Sequence, residues 1–222
     1  HLHEPGYMGV KNLLRTGQFF GLQYIYQTLT NSDGADPIDY PAIMANPAEF
    51  ELVATDAATG KPVYFTKDDM KQDDYRAIMA SCALPVMCRP ISFKDQTYFD
   101  GGLSDSVPIM RAFAKGCDRV VVILSKPRSF VKQPEGFRHI YRHALRKYPQ
   151  TIAALDNRHL MYRQNIADVK KQESAGKALV FAPSKELKMS TYARDEKLEQ
   201  ELYDLGISDF DARLNELHTF LS

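Results

Sequence analysis

An α/β fold with a mostly parallel sheet flanked by helices is predicted by three features of the sequence. The stretch Thr97-Tyr98-Phe99-Asp100-Gly101-Gly102-Leu103-Ser104-Asp105-Ser106-Val107-Pro108 reads as a short apolar strand that ends in a carboxylate, turns through two glycines and enters a helix at a proline. Further on, Val120-Val121-Val122-Ile123-Leu124 is a continuous apolar run, the pattern of a strand buried on both faces. Strand, helix and strand in this order make a βαβ unit, whose two strands lie parallel. The third feature is bulk: 222 residues, 44% hydrophobic and 25% charged, suffice for one globular domain spanning residues 1–222. No internal repeat or low-complexity linker divides it.

Each element has its own local reason. Residues 7–30 carry apolar side chains at helical spacing, interrupted by Gly17 and Gly21, which predicts one broken helix or two short ones. A turn-rich loop over 31–37 leads to a short helix over 40–45. Residues 50–56 and 62–65 read as two strands joined by a turn ending in Thr59-Gly60-Lys61, either a hairpin or a strand with a β excursion. Tyr75, Ile78, Met79 and Cys82 keep helical spacing over 73–83, and Pro85 stops that helix. The helix over 108–115 is closed by Gly116. Helices over 134–147 and 151–173, a strand over 178–182, and helices over 192–205 and 208–221 complete the chain.

Composition excludes several classes of function. With 28 basic and 28 acidic residues the net charge is zero, so no global field draws nucleic acid. No apolar run approaches the ~18 residues of a membrane span. There is no G-x-G-x-x-G and no phosphate loop with its lysine, so no cofactor is expected. Cys82, Cys88 and Cys117 have neither zinc-site nor C-x-x-C spacing, which fits reduced thiols and a cytoplasmic location. The chain opens on His1 with neither a signal-peptide pattern nor a recognisable tag, and is expected to be a piece of a longer product.

Asp100 is the candidate for chemistry, because ligands of open α/β sheets bind beyond the carboxyl ends of the strands. A plain Asp-Gly turn that only reverses the chain is the other reading. Three segments taken in order carry a resemblance: Thr55-Asp56 with Thr59-Gly60-Lys61-Pro62-Val63-Tyr64-Phe65, then Ile78-Met79-Ala80-Ser81-Cys82-Ala83-Leu84-Pro85, then Tyr98-Phe99-Asp100-Gly101-Gly102 running to Val107-Pro108. Together they resemble the patatin-like phospholipase family, from Asp56 to about Leu124. The resemblance implies a patatin-like fold and a lipid acyl hydrolase working through a serine–aspartate dyad. It assigns the aspartate of the Asp-Gly-[Gly/Ala] motif to Asp100, supported by Gly101 and Gly102. The family's glycine-rich oxyanion loop and G-x-S-x-G elbow are not in this sequence. The N-terminal part of the domain, with the serine, is therefore expected upstream, and an uncovered sheet edge beside residues 120–124 is expected to favour self-association. A non-catalytic lipid-binding or scaffolding module of the same fold is the rival reading.

Other candidates read as structural. Ser81 sits in a helix with no paired base, and Cys82 and Cys117 lack a nucleophile signature. Glu135, His139 and His143 fall on one helical face but not in an H-E-x-x-H arrangement, so no metal is expected. Lys126, Arg128, Lys132, Arg138, Arg142, Arg146 and Lys147 form a local basic excess. Phe137, Ile140, Tyr141, Ala144, Leu145 and Tyr148 run alongside, either as a core stripe with a solvated back or as a surface for an anionic membrane.

Overall fold

A computed structural model describes residues 4, 6–187 and 195–222. In chain order the regular elements are α1 (Val10–Thr16), α2 (Leu22–Tyr24), α3 (Tyr40–Ala45), β1 (Glu51–Asp56), β2 (Pro62–Thr66), α4 (Arg76–Ser81), β3 (Ile91–Phe93), β4 (Gln96–Asp100), α5 (Ile109–Ala114), β5 (Val120–Ile123), α6 (Arg138–Ala144), α7 (Pro149–Ser174), β6 (Ala178–Phe181), α8 (Glu196–Asp211) and α9 (Leu214–Leu221). The protein is thus mixed α/β. It groups into two compact units, residues 1–106 with 134–161 and residues 107–133 with 162–222.

The first unit holds a four-stranded sheet in the order β2-β1-β4-β3. All three of its pairings are antiparallel, which corrects the expectation of a mostly parallel sheet. The reason lies in how the strands are joined. Antiparallel neighbours need only a tight turn, and β3 reaches β4 through Lys94 and Asp95, both at positive φ (47° and 59°) as a two-residue hairpin requires. β4 then lies against β1, with Ala54 opposite Asp100 and Asp56 opposite Tyr98. β5 belongs to a different sheet, so β4, α5 and β5 do not close the expected βαβ unit.

Successive β4 side chains face opposite ways, and each face has its own core. Tyr98 packs with Ala54, Phe65 and Phe93 beneath α4, where Ala77, Met79 and Ala80 are buried, and Phe65 meets Phe93 and Tyr98 edge to face. Phe99 is fully buried on the other side, among Ala57, Leu103, Tyr141 and Leu145 around α6 and Leu155 of α7. At the N-terminal end α1 stops at Gly17, whose φ of 74° permits the left-handed cap. α2 continues into a π-helical turn over Ile25–Leu29, so the expected two short helices are present.

In the second unit β5 and β6 are parallel, in register from Val120 opposite Ala178 to Ile123 opposite Phe181. Val122, Ala178 and Val180 pack with Ile109 of α5 and Val169 of α7. The expectation that 120–124 is buried on both faces is corrected: Val121 is 36% and Ile123 79% exposed. β5 has no strand on its second edge among the described residues. β6 is buried throughout, its Phe181 against Phe210 of α8. Of the expected helix over 192–205, residues 192–194 lie outside the described residues. α8 begins after Asp195, whose side chain accepts the Leu198 N–H, and runs through Gly206 to Asp211 instead of breaking near 205.

Candidate active site

Asp100 ends β4, and its backbone is fixed on both sides. Its N–H donates to Ala83 O (2.9 Å), and its carbonyl accepts a hydrogen bond from Thr55 Oγ1 (2.8 Å). Thr55 is fully buried on β1 and shares a second hydrogen bond with Ser104 Oγ at 2.8 Å. A turn of 3-10 helix over Gly101–Leu103 follows, with Gly101 O accepting the N–H groups of Ser104 and Asp105. Tyr64 on β2 donates its hydroxyl to Asp105 Oδ2 (2.7 Å) and ties down the far side of this loop.

The two glycines are required by contact rather than by backbone angle. A Cβ on Gly101 would lie 2.2 Å from Val53 O, inside the backbone of β1. A Cβ on Gly102 would lie 2.8 Å from Asp100 Oδ1 and 3.4 Å from Arg158 Nη2. Without it, the Gly102 N–H donates to Asp100 Oδ1 at 2.7 Å. No other group among the described residues hydrogen-bonds this carboxylate, so one oxygen is held and the second is left for an incoming donor. Ser106 Oγ and Arg158 Nε both donate to Gly102 O, at 2.9 and 2.8 Å, and Arg158 Nη1 donates to Glu135 Oε1 at 3.0 Å.

The electrostatics suit a base. Burial pushes the Asp100 carboxyl up from its ordinary value, against the Gly102 N–H and the Arg158 charge, which hold it down. Burial also raises the Cys82 thiol, and it pushes the Cys88 thiol up to about 12, with the Asp100 charge adding to both. Such thiols stay protonated at neutral pH and are poor nucleophiles. Ser81 is half-buried and Cys117 exposed.

The expected alignment of Glu135, His139 and His143 on one helix is corrected. Phe137 takes a left-handed conformation (φ 53°) and α6 starts only at Arg138, so Glu135 precedes the helix and pairs with Arg158 instead. No cluster of three or more His, Cys, Asp or Glu side chains able to hold a metal occurs among the described residues. In the basic segment, Arg138 and Arg142 converge on the Asp156 carboxylate, which also accepts the Tyr141 hydroxyl. Tyr141 and Leu145 are buried, whereas Phe137 and Ile140 are exposed. No helix among the described residues is long and apolar enough to cross a membrane.

Sequence reasoning missed two residues of this site. Thr55 figures in the sequence only within a strand and within a resembling segment, although a threonine among apolar residues is a signal for a buried hydroxyl that needs partners. Arg158 carries no local mark that sets it apart from other arginines of its helix.

Comparison with known proteins matches residues 8–113 to the family described as patatin-like phospholipase, and residues 148–222 to a domain of unknown function, DUF6363. Over 110 residues the chain is 29% identical to the uncharacterized protein YjjU of Escherichia coli (strain K12), covering 43% of this chain and 30% of that protein. The match thus spans less than a third of that relative's own length.

Proposed function

Taking as premise that residues 8–113 carry a patatin-like phospholipase domain, we propose that the chain is part of a lipid acyl hydrolase in which Asp100 is the base of a serine–aspartate dyad. The observation that carries this reading is the Asp100 carboxylate itself: half-buried at the carboxyl end of a strand, one oxygen fixed by the Gly102 N–H, the other without a hydrogen-bond partner among the described residues. A serine hydroxyl attacks an ester carbonyl only when a neighbouring base takes its proton, and in a dyad without histidine that base is the carboxylate. The proton passes to the open Asp100 oxygen as the serine oxygen bonds to the carbonyl carbon. It is then returned to the leaving alcohol as the tetrahedral intermediate collapses to the acyl-enzyme. Water, deprotonated by the same carboxylate, releases the acid and regenerates the serine. A carboxyl raised by burial is a better proton acceptor at neutral pH than an exposed one, which supports the role.

In this reading the serine and the oxyanion donors are upstream of His1. That placement is supported by the hydroxyls nearby, which are committed elsewhere: Ser104 bonds to Thr55, and Ser106 donates to Gly102 O. Each backbone donor to the oxyanion would contribute about 3 kcal/mol. The test is Asp100→Asn in the full-length protein, assayed for hydrolysis of a short-chain ester alongside thermal melting. Hydrolysis should fall by a factor of about 10² or more with the fold intact. Activity within a few-fold of wild type would remove Asp100 from the mechanism, whereas no hydrolysis by the wild-type full-length protein would favour a non-catalytic lipid-binding module.

A further inference from the structure

Arg158 lies on α7, outside the patatin-like match over 8–113, yet its side chain reaches the glycine turn beside Asp100. Its Nε grips Gly102 O at 2.8 Å, and the N–H of the same residue holds Asp100 Oδ1 at 2.7 Å. A Cβ on Gly102 would lie 3.4 Å from Arg158 Nη2 and 2.8 Å from Asp100 Oδ1, so both groups border the same point. The Arg158 charge acts on the Asp100 carboxyl and holds it down, as an opposite charge within about 4–6 Å does. Glu135 anchors the guanidinium from behind through Nη1.

We propose that Arg158 is a positioning residue for Asp100: its guanidinium fixes Gly102, which aims the carboxylate, and its charge sets the pH at which that carboxylate becomes a base. The inference rests on the reading of Asp100 as the base. The groups facing Asp100 leave Arg158 as the source of such control. The Cys82 and Cys88 thiols remain neutral, Asp105 is bonded by Tyr64, and Glu135 accepts a hydrogen bond from Arg158. Removing Arg158 leaves burial unopposed except by the Gly102 N–H, so the carboxyl rises further. Removing Glu135 strips the guanidinium of its counter-charge, so the carboxyl falls.

These opposite signs make the test. In carboxyl-13C-labelled protein, with the Asp100 resonance identified by its loss in Asp100→Asn, Arg158→Gln should raise the Asp100 titration midpoint by about one pH unit or more, and Glu135→Gln should lower it. The acid limb of kcat/KM for ester hydrolysis by the full-length protein should move the same way in each variant. An unchanged or lowered midpoint in Arg158→Gln overturns the proposal. A rise in both variants also overturns it, since that is the mark of a loosened site rather than of a lost cation. The Asp100→Asn control separates the two claims. If it keeps hydrolysing ester while the midpoints move as stated, the reading of Asp100 as the base falls and the control of its carboxyl by Arg158 stands. If it is inactive and Arg158→Gln moves nothing, only the positioning role falls.

Discussion

Replacing Gly101 by alanine tests the architecture of the turn at the point where it has least room. The added methyl carbon would sit 2.2 Å from Val53 O, 2.5 Å from Val53 C and 2.7 Å from Val53 Cβ. These atoms belong to β1, which is paired on one edge to β2 and on the other to β4, so they cannot retreat without breaking ladder hydrogen bonds. Overpacking ordinarily costs about 1–3 kcal/mol, and a clash with backbone belongs at the upper end, about 3 kcal/mol. For a chain of this size each kcal/mol lowers Tm by about 2–4 °C, which predicts a drop of about 6–12 °C for Gly101→Ala. Gly102→Ala is the counterpart. There the new methyl meets the ends of side chains, Asp100 Oδ1 at 2.8 Å and Ser106 Oγ at 3.7 Å, which can swing aside. Its Tm should change by about 2 °C or less, while displacement of the carboxylate by about 1 Å should lower hydrolysis about 10²-fold. Thermal melting of both variants and an ester assay on the full-length protein decide it. A Gly101→Ala protein melting within about 2 °C of wild type would refute the steric argument.

Three further outcomes follow from the same structure. Because burial raises the folded-state pKa of Asp100, folding costs most once the group is ionised, so Asp100→Asn should melt above wild type at pH 7 and converge with it below about pH 4; a lower Tm at pH 7 contradicts this. The Asp156 carboxyl is held far below the ordinary range by hydrogen bonds from Arg138, with Tyr141 and Arg142 adding to them. Its contribution is therefore fully present above the unfolded value of about 3.9 and lost as pH falls below it, so Asp156→Asn should lower Tm at pH 7 and match wild type in strong acid; equal melting at pH 7 speaks against the cluster. If α6 rests on an anionic bilayer, replacing Arg138, Arg142 and Arg146 by Gln should weaken vesicle binding by about 1 kcal/mol per charge at low salt, with Phe137→Ser as the variant that leaves the Asp156 pairs intact. Co-sedimentation unchanged in both, or absent in the parent, returns α6 to a solvated face.

What the sequence disclosed about this protein was local, and what it withheld was pairing. The strand ending at Asp100, its glycine turn and the hairpin of β1 and β2 follow from apolar alternation and turn chemistry. β3 was invisible because it is three residues long and its hairpin turns on Lys94-Asp95, not on Asn-Gly or Asp-Gly. The run Val120 to Leu124 fits a strand, but apolarity alone does not say how many neighbours a strand has, and Val121 and Ile123 prove exposed. Likewise the expected end of a helix at 205 is not found: nothing lies within 4 Å of the open side of Gly206, and α8 passes through it. At the site, Asp100 with Gly101 and Gly102 could be picked out as one contiguous motif. Arg158 and Glu135 could not, because Arg158 meets Gly102 at a separation of 56 residues and Glu135 meets Arg158 at a separation of 23.

The claim that Asp100 activates a serine is tested most directly by a serine-reactive fluorophosphonate ester applied to the full-length protein, followed by peptide mass mapping of the labelled residue. The account predicts one labelled serine upstream of the position numbered His1, with labelling lost in Asp100→Asn. Label on Ser104 or Ser106, or labelling undiminished by Asp100→Asn, would contradict it.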